Sequence, residues 1–420
     1  MKAQKKRVTF KKVLPNGVKL YMCSDKNLKR IYASYEVRYG LSGMFNSVLI
    51  NGKEEKLPFG MAHFLEHTIL EHSVHGNLLH EFMSKNYSFN GVTGDRYTRY
   101  YILGYKDMKE SIKKLIEAVD IPVFTPEDLE KVKPAVIEEL TKNFDRKYSK
   151  AFACIGRNLY SGYEEKPATL NSLDSAETTE KFNYEIVKKA YDAYYYDANK
   201  TLVIAGNIDI DDMLKFLDEV YKNIKPHKQI AETIYYDKFE VRKTREVLYE
   251  DMHNDYMILA FKRKYTEKKN ILKEKIYRMI YYALCFDENE DFQNKLNDEK
   301  IIIGRIGTED DVFNNINELY FITDILDENR FREELIKYLK TNIDSIKKED
   351  FELYKKNLVA STVVEWDNPY AVFMVFPRNL EYYDEFDSTP LMLSLDFEEF
   401  KNHIKSINYD TYTSVILKNK

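Results

Sequence analysis

The chain has 420 residues, a length that predicts two or three domains, each with a core of its own. Hydrophobic residues make up 44% of it and charged residues 32%, with 14 Gly and 10 Pro, which excludes a largely disordered protein. The formal charge of -5, from 64 Lys and Arg against 69 Asp and Glu, gives no overall positive field to attract nucleic acid or anionic lipid. We therefore expect a folded protein that binds neither nucleic acid nor membrane.

The three cysteines indicate a reducing compartment. Cys23, Cys154 and Cys285 are odd in number and widely spaced, so they fit neither a disulfide framework nor a metal-binding CxxC pair. The basic first residues lack the apolar core of a secretory signal, and no apolar run approaches the ~18 residues of a membrane span. The sequence thus predicts a cytoplasmic protein.

The N-terminal part alternates strand-like and helix-like segments. Strands over 8–14 and 18–22 flank Pro15-Asn16-Gly17 and predict a hairpin, because Asn-Gly favours the positive φ of a tight turn. Residues 41–58 carry turn-formers and charge without a helical period, and are expected to form a surface loop. The other predicted elements are a strand over 31–39, a helix in GMAHFLEHTILEH, a strand over 97–105, helices over 108–119, 126–145 and 180–194, and a strand over 202–205.

The same order of elements recurs in the C-terminal part. It predicts strands over 246–249 and 257–261, a helix over 267–285, a strand over 319–323, helices over 329–345 and 350–362, and a closing strand over 414–417. We expect an α+β protein of two homologous α/β sandwich domains, each a mixed, largely antiparallel sheet packed with helices. The predicted domains are residues 1–225 with the metal site and residues 241–420 without one, joined by a linker over 226–240.

The string His63-Phe64-Leu65-Glu66-His67 carries the sharpest chemical signal. His63 and His67 lie four residues apart in a helix-forming segment and share one face, with Glu66 beside them. Two imidazoles at this spacing can bind Zn²⁺ while the carboxylate reaches a water at the open coordination position, which is a hydrolytic arrangement. The alternative is two ordinary histidines near a glutamate on a solvated helix, a string that chance produces in about one such chain in a hundred.

A catalytic zinc site needs a third protein ligand, commonly a carboxylate. In PEDLEKVKPAVIEELTKNF, Val132, Val136 and Glu139 fall at i, i+4 and i+7, so Glu139 is expected on an inward-facing apolar stripe, where a buried carboxylate requires a cation. Glu138 lies on a different face. Taken alone, Glu139 fits a charge at the rim of an amphipathic helix better than a metal ligand, and the HxxEH string reverses this preference in favour of the ligand role.

These residues resemble the pitrilysin/insulinase family of zinc metallopeptidases, the inverzincins, whose signature reverses the commoner HExxH order. The resemblance covers most of the N-terminal half. It begins at LPNGVKLY, continues through VRYG, GMAHFLEH and FNGVTGDRYTRYY, and includes AVIEEL, where the third ligand of the family falls on Glu139. The nearby His72 and His75 are expected to decorate the helix end.

The resemblance implies a zinc endopeptidase that acts on peptides or unstructured segments, with one Zn²⁺ per chain and Glu66 as general base. The implied metal ligands are His63, His67 and Glu139. In the family the substrate adds as an extended strand to a sheet edge. The residues implied at this edge are Asn90, Gly91, Val92 and Thr93.

The C-terminal half departs from the family pattern. Members that work alone or as homodimers carry an Arg and a Tyr seven residues apart, which stabilise the substrate carbonyl and the oxyanion. The corresponding stretch here, LNDEKIIIG, has Asn297 and Gly304 at these positions. We therefore expect the zinc-bearing subunit of a heterodimeric processing peptidase whose homologous partner supplies the Arg/Tyr pair, with a homodimer left open. The competing hypothesis is a non-catalytic peptide-binding or assembly subunit of the same fold, against which the retention of Glu66 argues.

Overall fold

A computed structural model of the protein describes residues 7–41, 45–105, 108–144, 147–159, 173–234, 240–264, 271–287, 289–313, 316–366 and 387–420. They form two compact units. The first contains the described residues up to 150 and from 173 to 234, and the second contains those from 151 to 159 and from 240 onwards. Within these ranges, no helix has both the length and the apolar composition that crossing a membrane requires.

The first unit is a main sheet, a small sheet and surrounding helices. Its strands are β1 (Val8–Val13), β2 (Lys19–Ser24), β3 (Ile31–Val37), β4 (Ser47–Ile50), β5 (Lys53–Lys56), β6 (Ser88–Thr93), β7 (Thr98–Gly104), β8 (Lys200–Gly206) and β9 (Ala231–Thr233). The helices up to the end of this unit are α1 (Met61–Glu71), α2 (Leu78–Met83), α3 (Lys109–Asp120), α4 (Pro126–Phe144), α5 (Lys147–Leu159, which belongs to the second unit from residue 151 on), α6 (Leu173–Glu180), α7 (Tyr184–Tyr194) and α8 (Ile210–Lys222).

The main sheet of the first unit has the strand order β1-β2-β8-β3-β7-β6. Strands β2 and β8 pair in parallel and the other neighbours pair antiparallel, which confirms the predicted mixed, largely antiparallel sheet. The apolar run Leu202–Ala205 of β8 is buried throughout, as expected for a strand covered on both faces. At the far side, β6 pairs with β7 alone among the described strands, so one of its edges has unpaired backbone groups.

Two predictions for the N-terminal segment have opposite outcomes. The first hairpin is confirmed, because β1 and β2 pair antiparallel and Gly17 adopts the positive φ of 104° that the turn needs. The surface loop over 41–58 is wrong, because β4 and β5 form a hairpin there and β9 adds to β4. Each of these strands has three or four residues, which is too short for a recognisable alternation. Strand β9 lies within the predicted linker, of which residues 235–239 lie outside the described residues.

The second unit repeats the sheet of the first. Its strands are β10 (Arg245–Glu250), β11 (Tyr256–Lys264), β12 (Ile302–Phe313), β13 (Ile316–Ile325) and β14 (Tyr412–Asn419). Its further helices are α9 (Ile271–Phe286), α10 (Asp291–Asp298), α11 (Glu328–Thr341), α12 (Lys348–Glu365), α13 (Thr389–Leu393) and α14 (Phe397–Lys405). The strand order β10-β14-β11-β13-β12, with β10 and β14 parallel, matches β2-β8-β3-β7-β6 strand for strand. The predicted duplication is thus confirmed in the topology.

The central strand β11 shows why both faces of the second sheet are covered. Met257, Leu259 and Phe261 point to the face on which α9 packs, within a cluster that also contains Ile280. Ile258 and Ala260 alternate with them and join a second cluster built with α5. An apolar run without alternation therefore predicted a buried strand correctly, because helices lie on either side of it.

Candidate active site

Helix α1 carries the HxxEH string into the floor of a cavity. The helix follows Gly60, whose φ of 80° lies in the left-handed region, and buries Phe64 and Leu65 against the rest of the unit. The side chains of His63 and His67 are only 13% and 20% exposed, and their rings meet edge to face at a centroid distance of 4.8 Å. The i, i+4 spacing thus places both imidazoles on one side of the helix, as expected.

Helix α4 brings Glu139 to the two histidines. The Oε2 atom of Glu139 lies 3.6 Å from Nε2 of His63 and 3.3 Å from Nε2 of His67. The expectation that Glu139 is buried is wrong, because its side chain is 47% exposed. The buried stripe of α4 continues through Val132 and Val136 to Leu140, and with 3.6 residues per turn Glu139 lies on the flank of that stripe.

The chemistry and spacing of these three donors fit a zinc ion. Ligand atoms at about 2.0–2.1 Å from a tetrahedral Zn²⁺ lie about 3.3 Å from one another, close to both observed nitrogen–oxygen distances. Over the ranges described, His63, His67 and Glu139 are the one group of His, Cys, Asp and Glu side chains whose donor atoms converge, all within 4.8 Å. Two imidazoles and one carboxylate are also a donor set of catalytic zinc sites that keep one position open.

Each of the three groups shifts the pKa of a neighbour. The polar contacts with His63 and then with His67 hold the pKa of Glu139 well below its usual range. Burial alone lowers the pKa of His67, but its polar contact with Glu139 and the charge of Glu66 outweigh this effect, so the net shift is upwards. A proton on His67 is thus stabilised where a metal cation would be, and a metal must displace it.

Glu66 lies against the edge strand β6 and outside the group of three donors. Its side chain is buried, and this burial raises its pKa. The Oγ1 of Thr93 donates a hydrogen bond to Oε2 of Glu66. A Cβ atom on Gly91 would lie only 2.5 Å from Oε1, so the β6 backbone is in direct contact with this carboxylate. Strand β6 therefore fixes the orientation of Glu66.

All the residues that the sequence assigns to the site line one cavity of about 400 Å³. They come from α1, α4 and β6. On β6, Gly91 is paired opposite Tyr100 of β7, and the side chain of Val92 is 40% exposed. The assigned residues on the cavity wall are His63, Glu66, His67, Asn90, Gly91, Val92, Thr93 and Glu139.

Sequence reasoning missed one polar residue and most of the apolar wall of this cavity. Glu71, the last residue of α1, lines it and lies 3.5 Å from Nδ1 of His67, a contact that the i, i+4 spacing could have indicated. Beside Val92, the apolar lining side chains are Leu41, Phe59, Leu70, Leu79, Ala135 and Leu140. His72 and His75 pair with Asp128 and Glu117 and do not line the cavity.

A comparison with protein families matches residues 181–358 to the family described as Peptidase M16 inactive domain. The match begins C-terminal to Glu139, so it concerns a part of the chain that has none of the candidate metal ligands.

Two curated bacterial proteins are similar in sequence. The uncharacterized zinc protease YmfH of Bacillus subtilis is 25% identical over 208 residues, which cover 49% of this chain and 47% of that protein. An uncharacterized zinc protease of Rickettsia felis is 23% identical over 253 residues, covering 56% of this chain and 55% of the relative. The chain thus spans about half the length of the curated relatives it matches.

Solved structures share the fold over the whole chain. A crystal structure of an M16-like peptidase from Alicyclobacillus acidocaldarius superposes with a TM-score of 0.84 at 18% identity, covering 100% of both chains. The periplasmic protease PqqL from Escherichia coli superposes with a TM-score of 0.73 at 12% identity, covering 100% of this chain and 48% of PqqL. In fold and in sequence the chain is peptidase-like, similar to proteins of the M16 family.

Proposed function

We propose that the chain is a zinc-dependent endopeptidase. One observation carries the proposal: a carboxylate oxygen lies 3.6 and 3.3 Å from two imidazole nitrogens, close to the separations in a tetrahedral zinc site, and all three donors converge beside a buried glutamate and a strand edge that no described strand pairs with. His63, His67 and Glu139 hold one ion, and Glu66 is the general base.

The chain's own residues supply the proton transfer. A bound Zn²⁺ ion contributes a Lewis acid that polarises the peptide carbonyl and lowers the pKa of water. Glu66 accepts the proton of the attacking water and passes it to the leaving amine. The burial that raises the pKa of Glu66 supports this role, because a base works best when its pKa approaches the working pH. Thr93 keeps the carboxylate oriented through its hydrogen bond.

The substrate binds as an extended strand along β6. The free edge of this strand carries main-chain donors and acceptors from Asn90 to Thr93, directly beside Glu66. Main-chain pairing tolerates different side chains, so it suits peptides or unstructured segments of varied sequence. The apolar wall that includes Phe59 and Leu79 accepts a substrate side chain next to the reacting bond.

A homologous partner subunit completes the site. Asn297 and Gly304 bind each other, because the Asn297 amide both donates to the Gly304 carbonyl and accepts from its N–H, each over 2.8 Å. The amide also donates to the carbonyl of Gln293, and Arg305 is paired with Glu290. A second copy of the chain would repeat this arrangement, which favours a heterodimer over a homodimer. The match to about half of PqqL supports two such halves.

The alternative is a non-catalytic peptide-binding or assembly subunit. The match of residues 181–358 to a family described as inactive supports it. The buried Glu66 argues against it, because a scaffold that merely holds zinc needs ligands and has no use for a carboxylate oriented beside them. A cytoplasmic location stays a prediction, supported by three buried free cysteines.

The test combines zinc content with cleavage of a quenched fluorescent peptide pool. We expect the wild type to bind one zinc ion per chain and the variants His67→Ala and Glu139→Gln to bind none. A wild-type protein that binds no zinc when zinc is added would contradict the proposal. Cleavage by the isolated chain that a chelator and Glu66→Gln both abolish would establish the peptidase and remove the need for a partner. Zinc binding without cleavage, restored by mixing with a homologous chain that has the Arg/Tyr pair, would establish the heterodimer. Peptide binding that never leads to cleavage would favour the alternative.

A further inference from the structure

Glu71 faces the side of His67 that is turned away from the candidate metal position. The Nε2 atom of His67 lies 3.3 Å from Glu139, and its Nδ1 atom lies 3.5 Å from Oε1 of Glu71. The imidazole therefore stands between two carboxylates, one among the metal donors and one behind the ring. The Glu71 side chain is 28% exposed and lines the same cavity.

The position of Glu71 in its helix is not explained by helix stability. Glu71 is the last residue of α1, where the negative end of the helix dipole disfavours an acidic side chain. The last turn has no basic residue to offset it. Among the described residues, the ion pair of Glu71 is formed with His67. An acidic residue at an unfavourable position, paired with one candidate ligand, indicates a role towards that ligand.

The chemistry of zinc-binding histidines suggests a role for the contact between His67 and Glu71. A ligating imidazole commonly donates its second ring N–H to a carboxylate, which fixes the tautomer, holds the ring plane and makes the ligating nitrogen more basic. Here Nδ1 is the ring nitrogen nearer to Glu71, so a proton on Nδ1 leaves the lone pair of Nε2 available on the side of Glu139.

We propose that Glu71 is a positioning residue for the metal site, which accepts the Nδ1–H of His67 and holds the neutral tautomer whose Nε2 binds the ion. The inference rests on the proposed zinc function. Glu71 touches neither substrate nor metal in this role, so its effect is on metal affinity and on the state of the His67 ring.

The first test is zinc affinity, measured by competition with a chelator in the full-length chain. We expect Glu71→Gln, which keeps a weaker acceptor, to weaken zinc binding about 10-fold and Glu71→Ala about 100-fold, with the stoichiometry still one per chain. The matched control is Glu117→Gln, which removes a carboxylate from His75 outside the cavity and should change the affinity less than about twofold. Circular dichroism verifies that each variant is folded.

The outcomes separate this inference from the proposed function. If the wild type binds zinc and both Glu71 variants bind it as tightly, the inference is overturned while the zinc site stands. If the wild type binds no zinc, both fall. If the Glu71 variants do not fold, a measurement on the wild type still tests the inference. In ¹⁵N NMR of the zinc-loaded protein, His67 should be protonated on Nδ1. A proton on Nε2 would overturn the inference.

Discussion

The two units share one topology and differ in what lies between a helix and the edge strand of the sheet. In the first unit, α1 and the edge strand β6 enclose a cavity lined by the candidate zinc ligands. In the second unit, the corresponding elements are α9 and β12, and they are joined by an ion pair. Arg278 of α9 is fully buried and binds Asp310 of β12 through two contacts, Nε–Oδ2 of 2.5 Å and Nη2–Oδ1 of 3.1 Å.

Neighbouring side chains complete the closed arrangement of the second unit. Asn317 of β13 donates to Oδ1 of Asp310 over 3.0 Å, and Nη1 of Arg278 lies 3.3 Å from Nε2 of His403. Burial and the charges of Arg263 and Arg278 lower the pKa of His403 to about 2, so this imidazole stays neutral. The two units thus share a strand order but differ in their polar side chains. In the first unit three candidate metal donors converge. In the second unit the polar side chains bind one another. The proposed function therefore depends on a few side chains at the contact between the helix and the edge strand.

The largest effect that we expect is the loss of peptide hydrolysis on substitution of Glu66 in α1. Glu66→Gln should lower the rate of peptide hydrolysis by about 10²–10⁴-fold, because the proposed general base is lost, while zinc remains bound. The measurement is the cleavage rate in whichever assembly cleaves peptide, alone or with a partner, together with zinc content.

The control for Glu66→Gln is Glu274→Gln on α9, which removes a carboxylate paired with Arg263. Its rate should stay within about twofold of the wild type, since surface and structural pairs outside the site act on stability. Equal losses of cleavage rate in the two variants would show that side chains of the second unit also take part in the reaction. The proposed difference between the two units would then be wrong.

The second prediction concerns the ion pair that closes the second unit. Arg278→Met removes the positive charge that neutralises Asp310, whose side chain is 10% exposed, and should lower the free energy of unfolding of this unit by about 3–5 kcal/mol. The chain has one tryptophan, and Trp366 lies buried at the end of α12 in this unit, so its fluorescence during urea unfolding reports the change.

The double variant Arg278→Met with Asp310→Leu is the control, because it removes both charges and should recover most of the lost stability. A single variant that unfolds like the wild type would mean that the ion pair is not what holds α9 to β12.

Most elements of the fold are predictable from the sequence, and strand β12 of the second unit is one that is not. Strand β11 was recognised because it is one apolar run, whereas β12 was missed. Its stretch GTEDD is polar, and Asp310 points to Arg278 although it belongs to a strand. An ion pair between a helix and a strand breaks the alternation from which strands are predicted, and no local pattern links two partners that are 32 residues apart in the sequence.

In the candidate site, spacing within one helix predicts which side chains share a face, whereas contacts between residues far apart in the sequence cannot be predicted. The i, i+4 relation predicts the common face of His63 and His67, which the structure has. The burial of Glu139 was predicted wrongly, because periodicity alone does not distinguish the centre of a helix face from its flank. The hydrogen bond from Thr93 to Glu66 joins positions 27 residues apart, and no local pattern indicates it.

The third prediction is a pH dependence confined to the first unit. His67 must lose its proton to bind a metal, and its pKa is raised above 6.5 in the metal-free protein. Zinc affinity should therefore level off above this raised pKa and fall about tenfold, or about 1.4 kcal/mol, for each pH unit below it.

Chelator competition between pH 5.5 and 8.5 measures this dependence. Trp366 emission is recorded on the same samples as a control, because the charge of Arg278 does not change over the range and the second unit should stay folded. An affinity independent of pH would remove His67 from the ligand set.

The smallest expected effect is the stability change caused by Glu139→Gln in the metal-free protein. The lowered pKa of Glu139 adds stability that is present above its unfolded pKa, about 4.5, and is lost as the pH falls. The raised pKa of His67 adds stability that is present below about 6.5 and is lost as the pH rises through the folded value. Between these limits both partners are charged, yet Glu139 is 47% exposed and water screens the pair, so the loss should stay under about 1 kcal/mol.

Hydrogen exchange of β3 and β8 at pH 6 measures this loss in the first unit. Zinc at 100 times its dissociation constant should add about 2.7 kcal/mol to the wild type and much less to Glu139→Gln. A metal-free loss as large as that of Arg278→Met would mean that Glu139 serves stability. The small loss that we expect would mean that the polar groups of the first unit are arranged for a ligand, and those of the second unit for one another.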